Sequence, residues 1–239
     1  MGLTEEQKNI FDFIAEIYIK VSIILPLLML FLLFYYKKYT PKKIFWIFAS
    51  LLFYLAFADF LLDIRTFFGY GSFYCQIVKA VFSICYLETL IYFYYTISKS
   101  ESNKSKYLKL FYLALIIQLV TVGINYYFGE WLFRFLGIYE SILLYPITIF
   151  HLFQINETTT KNFKHHKDPI FILNCAVFIN LGFSILHSLF EYTLSYYYSF
   201  AYNISVLFMW AGWVIYYILI AFGISNYKKM HEAQAESSL

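Results

Sequence analysis

The sequence predicts an all-α fold, a polytopic membrane bundle of seven transmembrane helices, on three observations. The chain of 239 residues is 61% hydrophobic and only 14% charged, against about 25% charge in an ordinary soluble domain. Its apolar residues fall into seven long runs, each near the roughly 20 residues a helix needs to cross a bilayer. Within each run the apolar pattern is continuous instead of alternating, which excludes a membrane β-barrel. With 9 Gly, 4 Pro and 3 Cys, the composition also excludes a collagen-like chain and a disulfide scaffold.

The runs follow in order. Phe13–Tyr36 comes after an acidic stretch with Glu5, Glu6 and Asp12, and contains Pro26. An acidic lead is the opposite of a signal peptide's basic start, so this helix is expected to serve as its own anchor. Ile44–Leu62 carries Asp59 toward its end, with Asp63 just beyond. Phe73–Ile97 holds Gln76, Lys79 and Glu88, and Leu108–Phe128 reads as a connector. Trp131–Ile155 contains Glu140 and Pro146. Pro169–Leu194 contains Asn180, His187 and Glu191, and Phe200–Ile224 opens with Asn203. The connecting loops are short, so residues 1–239 are expected to form a single membrane domain.

Orientation follows from the loop lysines. Lys37, Lys38, Lys42 and Lys43 follow the first run, and Lys99, Lys104, Lys106 and Lys109 follow the third. Lys161, Lys164 and Lys167 follow the fifth, and Lys228 and Lys229 follow the seventh. All fall on one side, which is therefore expected to be cytoplasmic, with the N-terminus outside. Tyr35, Tyr36, Trp131 and Tyr196 to Tyr198 sit at run ends, where interfacial aromatic belts belong. Trp210 and Trp213 sit deeper, where they line a cavity floor or fill the core.

An ionisable group at the centre of a membrane helix costs roughly 2.5–3.5 kcal/mol on insertion scales, so such groups face the bundle interior. The candidates here are Asp59, Lys79, Glu88, Glu140, His187, Glu191 and Asn203. By depth, nearly all lie in the outer half, and the inner half reads as Phe, Tyr, Leu and Ile. Asn180, Ser184, His187 and Glu191 step by four, three and four and form one helical stripe. Glu140, Ser141, Leu144 and Thr148 form a shorter one. Lys79 and Glu88 are nine residues apart and point to opposite sides of their helix. Glu88 is thus expected against the fourth or fifth helix, away from the outer acids. The others suggest an outward-facing polar cavity for a small solute or a proton. Asp59 and Lys79 read equally as a structural ion pair, and Glu191 as an interfacial group. No metal set is expected, because His187 and Glu191 alone are thin for a metal. Ser184 beside His187 is a weak hint of a nucleophile and base.

The chain shows signs of an internal repeat. Residues 72–98 align without gaps on residues 199–225, from Ser72-Phe73 against Ser199-Phe200 to Ile97-Ser98 against Ile224-Ser225. Ser22-Ile-Ile-Leu-Pro26 also resembles Ser141-Ile-Leu-Leu-Tyr-Pro146. Three helices, a connector and three helices form a parallel repeat, an arrangement found in transporters of the SWEET type. In architecture the chain resembles the group of SWEET-like transporters, microbial rhodopsins and G-protein-coupled receptors. Their motifs are missing. No lysine stands in residues 200–224 to hold retinal, Pro26 and Pro146 are followed by Leu27 and Ile147 instead of Gln, and Thr96-Ile97-Ser98-Lys99 stands where receptors carry Asp-Arg-Tyr. The membrane histidines of the ceramidase-type hydrolases are also lacking, since only His187 lies well inside a run.

Asp168-Pro169-Ile170-Phe171 at the start of the sixth run and Ile220-Ala-Phe-Gly223 late in the seventh resemble seven-helix membrane proteins common in Bacteroidetes. That resemblance implies a multi-pass protein of a bacterial inner membrane and a sensor working with a cytosolic histidine kinase or similar regulator. The expected reading is a sensor or receptor-like module; the alternatives are a proton-coupled or small-solute transporter and an intramembrane hydrolase. The expected partners are the lipid bilayer, a small solute or proton and a cytosolic regulator, with no cofactor, retinal or nucleic acid.

Overall fold

The computed structural model describes residues 5–68, 72–128, 133–158, 167–193 and 199–237. Side chains are described within narrower limits, which leave out those of Asp59, Lys79, Glu140, Glu191 and Asn203. The elements are α1 (Glu5–Tyr35), α2 (Lys42–Phe68), α3 (Ser72–Ile97), α4 (Glu101–Phe128), α5 (Phe133–Thr158), α6 (Pro169–Thr193) and α7 (Ser199–Ser237). Among the described residues, α3, α4, α6 and α7 are long and apolar enough to cross a membrane, and shorter apolar stretches lie in α1 at Lys20–Tyr35 and in α5 at Ser141–Gln154. This is a helical membrane protein.

Each sequence run coincides with one helix, and the helices extend further where nothing stops them. The run ending at Ile224 continues to Ser237, because Gly223 is accommodated and no proline follows. A 39-residue helix is about 58 Å long, nearly twice the roughly 30 Å of bilayer hydrocarbon. Its last turns, residues 229–236, are exposed. Lys228 and Glu232 pair along it at 3.6 Å. The start of α6 is fixed by Asp168, whose Oδ1 accepts the backbone N–H of Ile170 at 2.9 Å, with Pro169 in the first helical position. Proline there forfeits nothing, since its missing N–H would have no intrahelical partner. Pro26 and Pro146 lie inside α1 and α5.

The helices form a ring traversed in the order α1, α2, α3, α5, α6, α7 and back to α1. Helix α4 stands outside it, packed mainly on α3 and more briefly on α5. The loops α1–α2 and α3–α4, the start of α6 and the end of α7 gather at one end, here called the lysine-rich end. Contacts there include Phe48 of α2 on Phe93 of α3 at 5.4 Å and Tyr39 on His231 at 5.8 Å between ring centroids. The exposed Lys38 amine beside the Tyr39 hydroxyl is held above its ordinary pKa by that hydrogen bond.

Toward this end the described residues form a packed core. Leu33, Phe45, Phe48, Leu51, Leu52, Leu87, Leu90, Phe93 and Ile220 are all but inaccessible. Between lipid-facing helices such contacts hold by close packing more than by transfer from water, since lipid tails are as apolar as leucine. Small residues permit it on α6–α7. A Cβ on Gly212 would lie 2.6 Å from the Cβ of Phe183, and one on Gly223 would lie 2.9 Å from Leu173 and 3.4 Å from the carbonyl oxygen of Pro169. The Asp168-Pro169 and Gly223 segments, far apart in the chain, thus meet at one helix contact.

Candidate functional site

Contrary to the expectation of an apolar inner half, the lysine-rich half contains a buried polar network. Tyr94 of α3 donates its hydroxyl hydrogen to Asn174 Oδ1 of α6 at 2.8 Å. The same hydroxyl lies 2.8 Å from Thr148 Oγ1 of α5. Thr148 Oγ1 also lies 2.8 Å from the carbonyl oxygen of Leu144, and Asn174 Nδ2 donates to the carbonyl oxygen of Thr148 at 3.3 Å. One proton on each hydroxyl must serve three contacts. Thr148 donating to Tyr94, and Tyr94 to Asn174, satisfies the amide oxygen. On the α4 side, the Tyr107 hydroxyl lies 2.7 Å from His151 Nε2. Tyr94 stacks on that imidazole at 4.9 Å. One turn or two deeper, Asn180 Nδ2 donates to the Tyr86 hydroxyl at 3.0 Å.

This polarity was partly legible. The α5 stripe of Ser141, Leu144 and Thr148 is buried as its spacing predicts, and His151 continues it by one turn. Asn174, Tyr94, Tyr107 and Gln118 were missed. Tyrosine in so aromatic a chain counts as apolar by composition, and only the three-helix geometry reveals what its hydroxyl reaches.

Of the candidates named from sequence, Glu88 is well described. It is 8% exposed, and neither carboxyl oxygen has a hydrogen-bond partner. Ser83 Oγ of α3 and both amide atoms of Gln118 of α4 are likewise buried and unpartnered. His187 is half-buried and engaged with a neighbour. The side chains of Asp59, Lys79, Glu140, Glu191 and Asn203 lie outside the described residues, so their convergence on one cavity stays an expectation. Ser184 donates its hydroxyl to the carbonyl oxygen of Asn180 at 3.0 Å, a local bond that occupies the one proton a nucleophile would have to surrender. Among the described residues no three of His, Cys, Asp and Glu gather as metal ligands do.

A cavity of about 260 Å³ lies between α1, α2 and α7. Its walls include Ser22 and Leu25 of α1, Leu55 and Ala58 of α2, and Trp213 and Tyr217 of α7. Along α2 it begins one turn beyond the sealed Leu51 and Leu52, so it lies on the far side of the packed layer from the lysine-rich end. The wall is mostly apolar, with a few hydroxyl groups and one indole. The wall residues named carry no charge.

No family model matches the chain, and no curated protein and no solved structure is significantly similar to it.

Proposed function

We propose that the chain is a seven-span protein of the bacterial inner membrane, with its N-terminus outside, that works as a sensor or receptor-like module. One observation carries the reading: α7 lines the cavity with Trp213 and Tyr217 and then continues unbroken to Ser237. A helix transmits a displacement along its axis with little loss, so a molecule wedged against Trp213 bears directly on the exposed turns at His231 to Glu236. The packed layer between them favours a sensor, which needs no path for solute through the bundle. The loop lysines support a cytoplasmic lysine-rich end, and the Asp168-Pro169 and Gly223 resemblance supports the bacterial source.

The test is crosslinking in the native membrane, affinity purification and mass spectrometry. The expected result is a cytosolic regulator, such as a histidine kinase, linked through Lys228 or Lys229. Recovery of no cytosolic protein, under conditions that capture a known membrane complex, would count against the reading.

The ring order favours a second reading. With α4 outside, the ring consists of two three-helix sets, α1–α3 and α5–α7, which meet where α3 packs on α5 and α7 on α1. Rocking of two such repeats about these joints is how parallel-repeat transporters work. Proton-driven uptake of a small solute by reconstituted vesicles would establish it in place of the sensor.

A further inference from the structure

We propose that the α1–α2 turn is a docking surface for anionic phospholipids, with the ammonium groups of Lys37, Lys38, Lys42 and Lys43 set at the level of the headgroup phosphates. Lipid binding there depends neither on the sensor reading nor on which side of the membrane the turn occupies.

The turn is tightly built. The backbone N–H groups of Tyr39 and Thr40 both donate to the carbonyl oxygen of Tyr36, at 2.9 and 3.2 Å. The buried Thr40 hydroxyl donates to the same oxygen at 3.1 Å. Helix α2 then begins at Lys42, and the Phe45 N–H donates to the Pro41 carbonyl oxygen at 2.9 Å. Four lysines are thus held on one folded turn between two apolar helices, and all four are exposed. A surface already ordered loses less freedom when a ligand binds.

Aromatic rings mark the depth of this turn in the bilayer. Lys37 Nζ lies 6.0 Å from the ring centroid of Phe34 and 5.4 Å from that of Phe45. Phe34 is itself exposed, so this ammonium sits where the apolar flank of α1 gives way to polar surface. Tyr35 and Trp46 are exposed before and after the turn, and amphipathic rings of this kind collect at headgroup level.

The charge is one-sided. From residue 17 to residue 58 the chain has no Asp or Glu. Among the described residues the ion pairs at this end are Lys104 with Glu101 and Lys228 with Glu232, which leaves Lys37, Lys42 and Lys43 without a carboxylate. The acid facing the turn is Glu232 of α7, which acts electrostatically on Lys38. The other titratable groups there are Tyr35, Tyr36, Tyr39 and His231. Four ammonium groups against one carboxylate call for anions, and the rim of Phe34, Tyr35 and Trp46 calls for anions that carry apolar chains. A free phosphate meets the first requirement alone. The α3–α4 connection has as many lysines, Lys99, Lys104, Lys106 and Lys109. There, however, Glu101 stands among them, and among the described residues none of the four lies over a ring.

The test is native mass spectrometry of the full chain in detergent micelles, titrated with phosphatidylglycerol or phosphatidylcholine of the same acyl chains. Orientation has no meaning in a micelle, so the part these lysines play in topology does not enter. Phosphatidylglycerol is expected to bind more tightly. Replacing Lys37→Gln, Lys42→Gln and Lys43→Gln together should weaken it by roughly a hundredfold, at about fivefold per lysine. Replacing Lys99→Gln, Lys106→Gln and Lys109→Gln removes the same charge elsewhere and should leave that affinity nearly unchanged. Lys37→Gln alone, expected to cost about fivefold, keeps the test decisive if the triple variant does not fold. The proposal is overturned if the two lipids bind alike, or if both triple variants lose equally, since overall charge would then account for binding. Displacement of phosphatidylglycerol by soluble glycerol 3-phosphate would also overturn it, because the turn would then take a phosphate without its chains.

Discussion

Removing the hydroxyl of Tyr94 by Tyr94→Phe tests the polar network most sharply, because the structure says which atoms are left unsatisfied. The ring stays, so its stacking on His151 at 4.9 Å is kept. Thr148 loses a neighbour but still reaches the carbonyl oxygen of Leu144 at 2.8 Å, so its hydroxyl is not orphaned. Asn174 Oδ1 loses its donor, and Asn174 is fully buried. The cost is therefore that of one orphaned acceptor, about 1–2 kcal/mol given the 1–3 kcal/mol typical of buried groups in proteins and the smaller values measured between membrane helices. The assay is reversible unfolding of the purified chain in mixed micelles, run as a double-mutant cycle with Asn174→Leu. With leucine at that position nothing is orphaned, so Tyr94→Phe should then cost much less, a coupling of about 1 kcal/mol. Equal costs in the two backgrounds would refute the reasoning.

Further predictions follow from packing and from the cavity. Gly212→Leu drives new atoms into Phe183, whose own Cβ lies only 2.6 Å from where the added Cβ would sit, and should lower stability by about 1–3 kcal/mol or more; an unchanged unfolding midpoint would mean that α6 and α7 separate there. Ala58→Leu adds carbon to the cavity wall and should raise the thermal midpoint, whereas a lowered midpoint would mean that the space is needed in the folded state. Tyr107→Phe removes the group 2.7 Å from His151 Nε2 and should cost about 1 kcal/mol by the same unfolding assay, with no loss expected if water replaces the phenol. Cysteine introduced at Ala233 should react with a membrane-impermeant maleimide from the cytoplasmic side of oriented membranes alone; reaction from the outside would invert the orientation.

Much of the fold was legible because a membrane helix is read from one property, sustained apolarity. Each of the seven runs coincides with a helix, and among the described residues four of these helices are long and apolar enough to cross a membrane. The far ends were less legible. The run ending at Ile224 shows where hydrocarbon stops, and apolarity says nothing of a polar helix that continues beyond, as α7 does through Lys228, Lys229 and His231. Depth counting ranked charged residues first and so directed attention to the outer half. It passed over neutral donors and acceptors, and Tyr94, Thr148 and Asn174 are all uncharged. Spacing alone set Glu88 apart from the outer acids, since nine residues from Lys79 is a half-turn's difference on any helix. The α6 and α7 signatures were visible as words, and their meaning, a capped helix start packed on a glycine, needed three dimensions.

The central claim is that the cavity and the exposed end of α7 move as one. The direct measurement is a spin–spin distance between labels at Lys38→Cys and Ala233→Cys, with Cys75, Cys85 and Cys175 replaced, in vesicles. These labels bracket the Tyr39–His231 contact, whose ring centroids lie 5.8 Å apart. The account predicts that filling the cavity by Ala58→Leu shifts the distance distribution, because α7 carries the displacement past the packed layer. An unshifted distribution, in a variant whose thermal midpoint shows that the cavity has been filled, would contradict it.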